Sequence, residues 1–113
     1  MSRDNGAKGR AGERLAGAFL ERSGYRIVQK NVRLPGGEID LICRDGDVLV
    51  FVEVKARSTG RFGSALGAVD ARKRTTLRRL AADYVQIVAP NATIRFDVVA
   101  VDGDRMTLHR NAF

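Results

Sequence analysis

Residues 38–44 and 48–55 are two runs of mainly aliphatic and β-branched residues, joined through Asp45-Gly46, the strongest short hairpin signal a sequence offers. This pattern commits the chain to an antiparallel pair of strands on which everything else must pack. Successive side chains of a strand point to opposite faces. Glu38, Asp40 and Ile42 therefore share one face, with Ile39, Leu41 and Cys43 behind; Leu49, Phe51, Glu53 and Lys55 share a face, with Val48, Val50, Val52 and Val54 behind. A two-residue loop at Asp45-Gly46 pairs Arg44 with Asp47, and so sets Asp40 opposite Phe51 and Glu38 opposite Glu53. Asp40 and Glu53 then become diagonal neighbours, roughly 7–8 Å apart at the backbone and within side-chain reach. Lys55 follows on the same face.

Around the hairpin, periodicity supplies the remaining elements. Residues 1–9 are polar and aperiodic and read as a frayed start. Ala11, Leu15, Ala18 and Phe19 recur at helical spacing over residues 10–23, and Gly24 is a C-terminal stop. Residues 25–32 alternate as a first strand, broken by Pro35-Gly36-Gly37. The glycine-bearing stretch 58–67 reads as a surface loop. A second helix begins after Asp70, a good N-cap, with Leu77, Leu80, Ala81, Tyr84 and Val88 as its apolar stripe. Residues 93–101 and 106–110 complete the strands, separated by Asp102-Gly103-Asp104. Three strands in hairpin order and a helical crossover to a fourth predict an α/β fold, an αβββαβ core whose mixed sheet is flanked by helices. At 113 residues the chain reads as a single domain, 1–113.

Composition narrows the chemistry. One cysteine and one histidine (His109) exclude a disulfide within the chain, a thiolate zinc cluster and any two-histidine site. Cys43 falls on the apolar face and reads as a buried, inert thiol. Asp97, alternating with Phe96 and Val98, reads as structural. No segment approaches the length of a membrane span, and the N-terminal region lacks the order of a signal peptide, so the expected compartment is the cytoplasm, without a membrane partner. The formal charge is +7, which points to a polyanionic partner such as nucleic acid. Its distribution is uneven: net +5 over residues 1–33, −3 over 34–56, +6 over 57–82 and −1 over 83–113. An acidic block between basic ones would repel phosphate unless its carboxylates hold cations.

Like charges facing each other in a sheet are destabilising, and a hard divalent cation removes that penalty. Mg²⁺ takes one or two carboxylates and retains exchangeable waters. A neighbouring lysine suits a phosphate oxygen or the attacking water. Asp40, Glu53 and Lys55 are thus the minimal set for metal-assisted phosphodiester hydrolysis. The plainer alternative is a solvated hairpin face carrying an ion pair.

The segments GEID (37–40) and VEVK (52–55) resemble the D-x(n)-E-x-K signature of restriction-endonuclease-like nucleases. With Gly12-Glu13 upstream, GEIDLI and VFVEVKAR together resemble the YraN-like family, small bacterial proteins grouped with Holliday-junction-resolvase-like nucleases; the likeness covers residues 12–101. The resemblance implies a restriction-endonuclease-like fold and a Mg²⁺- (or Mn²⁺-) dependent endonuclease acting on DNA, branched or junction DNA included. It implies Asp40 and Glu53 as metal ligands, Glu13 as a further acidic member and Lys55 as the catalytic lysine. Ile39 replaces the proline that precedes the aspartate in the broader motif. Cutting a junction would require a homodimer with two symmetry-related sites.

Arg57 and Arg61, together with Lys73, Arg74, Arg78 and Arg79 on the second helix, are candidates for phosphate contact. Two other readings remain open: a nucleic-acid-binding module that keeps the nuclease fold without cutting, and a small basic RNA-binding protein with structural acids.

Overall fold

The computed structural model describes residues 2–57 and 70–113, with side chains from residue 11 onward except that of Arg57. In chain order the elements are α1 (Ser2–Arg22), β1 (Arg26–Leu34), β2 (Gly37–Asp45), β3 (Val48–Arg57), α2 (Ala71–Val88), β4 (Thr93–Asp102) and β5 (Arg105–His109). The strands form one five-stranded mixed sheet in the order β1-β2-β3-β4-β5. β1, β2 and β3 are antiparallel neighbours, β4 joins β3 in parallel, and β5 returns antiparallel. The parallel pair follows from the crossover through α2, which brings the chain back to the end of the sheet from which β3 set out. This is the α/β architecture, a mixed sheet flanked by two helices and consistent with a restriction-endonuclease-like core. The loop expected at 58–67, including Arg61, lies outside the described residues.

The two helices cover opposite faces. Leu80, Ala81 and Tyr84 of α2 pack with Val32, Ile42, Leu49, Phe51 and Phe96. Ala16 and Leu20 of α1 pack with Tyr25, Leu41, Cys43, Val50, Val52 and Val99. Asp70 caps α2 by accepting the Lys73 N–H at 2.9 Å, as its sequence position predicts. Val88 does not belong to the buried stripe: it is exposed, while Val85 and Ala89 on either side pack against the core.

α1 departs from expectation in two ways. It begins at Ser2, so the frayed start is replaced by helix. No proline interrupts residues 2–10, and extending an existing helix costs far less than nucleating one. Its buried face is also rotated: Leu15 is 56% exposed, whereas Ala16, Gly17 and Leu20 are buried. The helix ends in a Schellman motif, with Tyr25 N–H donating to Leu20 O, Gly24 N–H donating to Glu21 O, and Gly24 at φ 97°.

At the end of the sheet where β4 begins, polar groups are closely matched. Asp97, fully buried, accepts both Nε and Nη2 of Arg95 at 2.9 Å, the Asn111 N–H at 2.9 Å and the Tyr25 hydroxyl. Arg110 Nε donates to the Tyr25 oxygen at 3.0 Å, and Arg95 also pairs with Asp45 at 2.9 Å. Burial alone would raise the Asp97 pKa, but these donors outweigh it and hold the carboxyl below its ordinary value. Asp97 is structural, as its place among apolar neighbours suggests. Cys43 is buried, and burial pushes its thiol up to about 12, which leaves it un-ionised at neutral pH.

Candidate active site

The hairpin register is shifted by two residues from the one expected. Asp45 pairs with Val48, Arg44 with Leu49, Cys43 with Val50, Ile42 with Phe51 and Leu41 with Val52. The turn is therefore Gly46-Asp47, with Gly46 at φ 62° in the first central position, as a type II′ turn requires. A shift of two preserves which face each side chain occupies. It also brings Asp40 level with Glu53, rather than diagonal to it.

The ladder between β2 and β3 stops at Leu41–Val52. One residue further the Asp40 carboxylate takes over, accepting the Val54 N–H at 2.9 Å. Alternation breaks here as well: Ile39 packs with Ile42 on the α2 side, not with Leu41 and Cys43 as strict alternation predicts. The two strands part at Asp40, and its side chain occupies the opening.

Glu53 projects toward α2 on the same face as Leu49 and Phe51 and is 6% exposed. Its Oε2 lies 3.5 Å from Lys73 Nζ, while Oε1 has no hydrogen-bond partner. Burial, then the Asp40 charge, push its pKa up to about 8 against the opposing pull of Lys73. Glu13 approaches from α1. Burial, then the charge and hydrogen bond of Asp40 and the charge of Glu38, raise it to about 7, against a hydrogen bond with Asn31. Its Oε1 is likewise buried and unpartnered. Asn31 itself adopts a left-handed backbone, φ 52°, between the pairs Lys30–Leu41 and Val32–Ile39, and so stands level with Asp40 on the other side. Non-glycine residues rarely take this conformation, and asparagine is among the few that tolerate it.

Lys55 lies two residues beyond Glu53, half-buried and on the same face, because β3 keeps an unbroken register with β4. Glu38 does not face Glu53; its cross-strand partner is Arg33, and its charge acts on Glu13. The basic residues of α2 take separate stations. Lys73 belongs to the acidic site. Arg74 and Arg78 lie over the Phe113 ring, at 5.8 and 5.5 Å from its centre. Arg79 donates to the Pro35 carbonyl at 3.3 Å and pairs with Asp83 at 3.5 Å. The Arg79 guanidinium rests over Gly36, where an added Cβ would fall 2.2 Å from it. Arg57 ends β3, paired with Asp102; its side chain and all of Arg61 lie outside the described residues.

The stripes of the two helices place Glu13, expected from the resemblance alone, and Lys73, expected as a phosphate contact. Glu13, Ala16, Gly17 and Leu20 fall at i, i+3, i+4 and i+7, so the glutamate heads the buried face of α1. Lys73 precedes Leu77, Leu80, Ala81 and Tyr84 in the same manner on α2. Each helix thus aims a charged residue at the opening between β2 and β3. Asn31 carried no comparable signal.

The residues fit a hard divalent cation. Glu13 and Glu53 each leave a buried oxygen without a partner, and unpaired buried carboxylate oxygens are costly. Among the described residues no three acidic, histidine or cysteine side chains are already gathered as a cation cage. The arrangement suits an ion that takes few protein ligands and keeps its waters. Also among the described residues, no helix is long and apolar enough to cross a membrane.

The model of the uncharacterised protein family UPF0102 matches residues 12–101. A UPF0102 protein of Dechloromonas aromatica is 47% identical over 95% of this chain and 88% of its own length. One from Shewanella loihica is 46% identical over 94% and 93%, and one from Symbiobacterium thermophilum 50% identical over 93% and 94%. The match spans both carboxylate-bearing strands and the part of α1 that supplies Glu13, and by this likeness the chain belongs to the UPF0102 family.

Proposed function

We propose that this chain is a metal-dependent endonuclease that hydrolyses phosphodiester bonds of DNA, branched or junction DNA among its substrates. The observation that carries this reading is the pair of buried, unpartnered carboxylate oxygens, Glu13 Oε1 and Glu53 Oε1, on either side of Asp40. Asp40 and Glu53, with Glu13 beside them, would hold Mg²⁺ or Mn²⁺. Bound there, the ion would supply Lewis acidity toward a phosphate oxygen and acidify a water.

The chain's own residues do the rest. Asp40 is fixed by the Val54 N–H, so one ligand oxygen is oriented before anything binds. Lys55 carries a cation on the face of Glu53, where it can hold the attacking water or offset charge developing on the phosphate. The exposed arginines of α2 offer a positive surface to the flanking backbone. A chain of this size covers few base pairs, so cutting both strands of a junction calls for two copies related by symmetry.

The test is cleavage of linear, flapped and four-way-junction DNA with Mg²⁺ or Mn²⁺, alongside calorimetry of Mn²⁺ binding to wild type and Asp40→Ala. Metal-dependent cutting and a cation site lost in Asp40→Ala are the expected results. Binding of DNA without cutting under any metal would assign the chain to the non-catalytic module instead, and selective binding of RNA would replace DNA as the partner.

A further inference from the structure

We infer that Lys73 has two alternating partners: the Glu53 carboxylate when that charge is otherwise uncompensated, and a substrate phosphate once the charge has been taken up. The inference rests on the reading of this site as one that handles phosphodiesters, and it adds a residue and a sequence of contacts to it.

Three observations lead there. Lys73 Nζ is 3.5 Å from Glu53 Oε2, and the two ends of the pair differ sharply in setting: the glutamate is buried, whereas the lysine side chain is 45% exposed. Glu53 cannot leave, because it is buried and its backbone is paired with Val98 of β4. Lys73 can: it sits in the first turn of α2 on a flexible four-carbon stem, with its backbone N–H secured by Asp70.

The second Glu53 oxygen has no partner, so the carboxylate retains capacity for another positive group. A cation placed there competes with Lys73 for the same charge. Neutralising that one carboxylate deprives the Lys73 ammonium of its partner, with Lys55 two residues further along β3 as a second cation on that face. An anion then satisfies Lys73, and a backbone phosphate offers the oxygens.

Metal-free protein allows the exchange to be read without catalysis. Glu53→Gln removes the charge while keeping the shape. Binding of a fluorescein-labelled DNA duplex is measured in EDTA at pH 9, where Glu53 carries its charge, against salt concentration for wild type, Lys73→Ala, Glu53→Gln and the double variant. In wild type, Lys73→Ala should leave the log–log salt slope nearly unchanged. In the Glu53→Gln background it should lower the slope by about one, the signature of one lost phosphate contact.

Equal loss of slope in both backgrounds would make Lys73 a permanent phosphate contact and overturn the exchange. No loss in either, or no duplex binding by any variant, would reduce it to a counter-ion of Glu53. Glu53→Ala removes the same charge and serves as a second background should the glutamine variant melt early. Absence of metal-dependent cutting by wild type, with the slope difference intact, would sink the nuclease reading and leave the exchange standing.

Discussion

The Asp40 carboxylate accepts the Val54 N–H at 2.9 Å, in the place where a strand partner would otherwise sit. A side chain here stands in for backbone, so the site residue is also a piece of the sheet. Asp40→Asn is therefore informative. Asparagine keeps an acceptor oxygen for Val54 but loses the charge. The variant should fold, bind DNA as tightly as wild type or slightly more tightly without metal, and fail to cut. Nicking rate and gel-shift affinity, with circular dichroism for the fold, check all three. A folded Asp40→Asn protein that cuts at the wild-type rate would mean the site is misassigned.

Lys55→Ala should behave differently. It removes no ligand, so Mn²⁺ affinity by calorimetry should hold, while cleavage falls by about two orders of magnitude, the usual size of a lost charge-stabilising group. Loss of metal affinity would instead make Lys55 part of the ion's immediate setting.

Asn31 separates backbone from side chain. Asn31→Ala should cost about 1–2 kcal/mol, because alanine resists the left-handed conformation at φ 52°. Asn31→Gly keeps that backbone yet deprives Glu13 of its hydrogen bond. Urea midpoints should rank glycine near wild type and alanine well below it, while both variants cut slowly. A glycine variant with full activity would show that Asn31 serves the fold alone.

Replacing Arg78 and Arg79 together by alanine should weaken DNA binding for all sequences alike and flatten its salt dependence by roughly one unit per lost contact. No Asn or Gln lies between Asp70 and Tyr84 to read adenine edges, so base preference should not change. An unchanged slope would turn this face of α2 away from nucleic acid.

The Asp97 cluster sets an acid limit. Its carboxyl is held below the ordinary 3.8, so the unfolded chain takes up the proton first as pH falls. The stability it contributes is complete above that ordinary value and disappears as pH drops through the lower native one. Asp97→Asn should cost about 1–3 kcal/mol at neutral pH, because the donors from Arg95, Tyr25 and Asn111 lose the charge on which they converge, while Arg95 keeps its pair with Asp45. Its urea midpoint should also lose part of the wild-type acid dependence below the ordinary value of 3.8. Parallel pH profiles for the two proteins would contradict the assignment.

Element order, the mixed sheet and the opposed helices were legible because periodicity and turn residues report local geometry directly. The site was legible as residue types on β2 and β3, less so as a register. Asp45-Gly46 suggested a turn centred on both residues, yet Gly46 alone takes positive φ and the turn moves on by one. That choice depends on how Asp45 pairs with Val48, which a pattern of apolar residues does not encode. The break at Asp40 was hidden for a related reason: strict alternation assumes an unbroken ladder, and here the ladder stops where the carboxylate begins. The rotated face of α1 was less legible because Ala16 and Gly17, beside Leu20, carry much of its contact.

Tyr25 closes the turn after α1 and anchors its hydroxyl on Asp97, among Arg95 and Arg110. The same helix carries Glu13 roughly 15 Å away, at 1.5 Å of rise per residue. A helix is stiff along its axis, so fixing one end sets the reach of the other. Tyr25→Phe should keep the apolar contacts of α1 and remove the polar tie at its C-terminal end. Displacements of about 1 Å already spoil a reacting geometry. Tyr25 therefore ties the placement of a carboxylate midway along α1 to the Asp97 cluster.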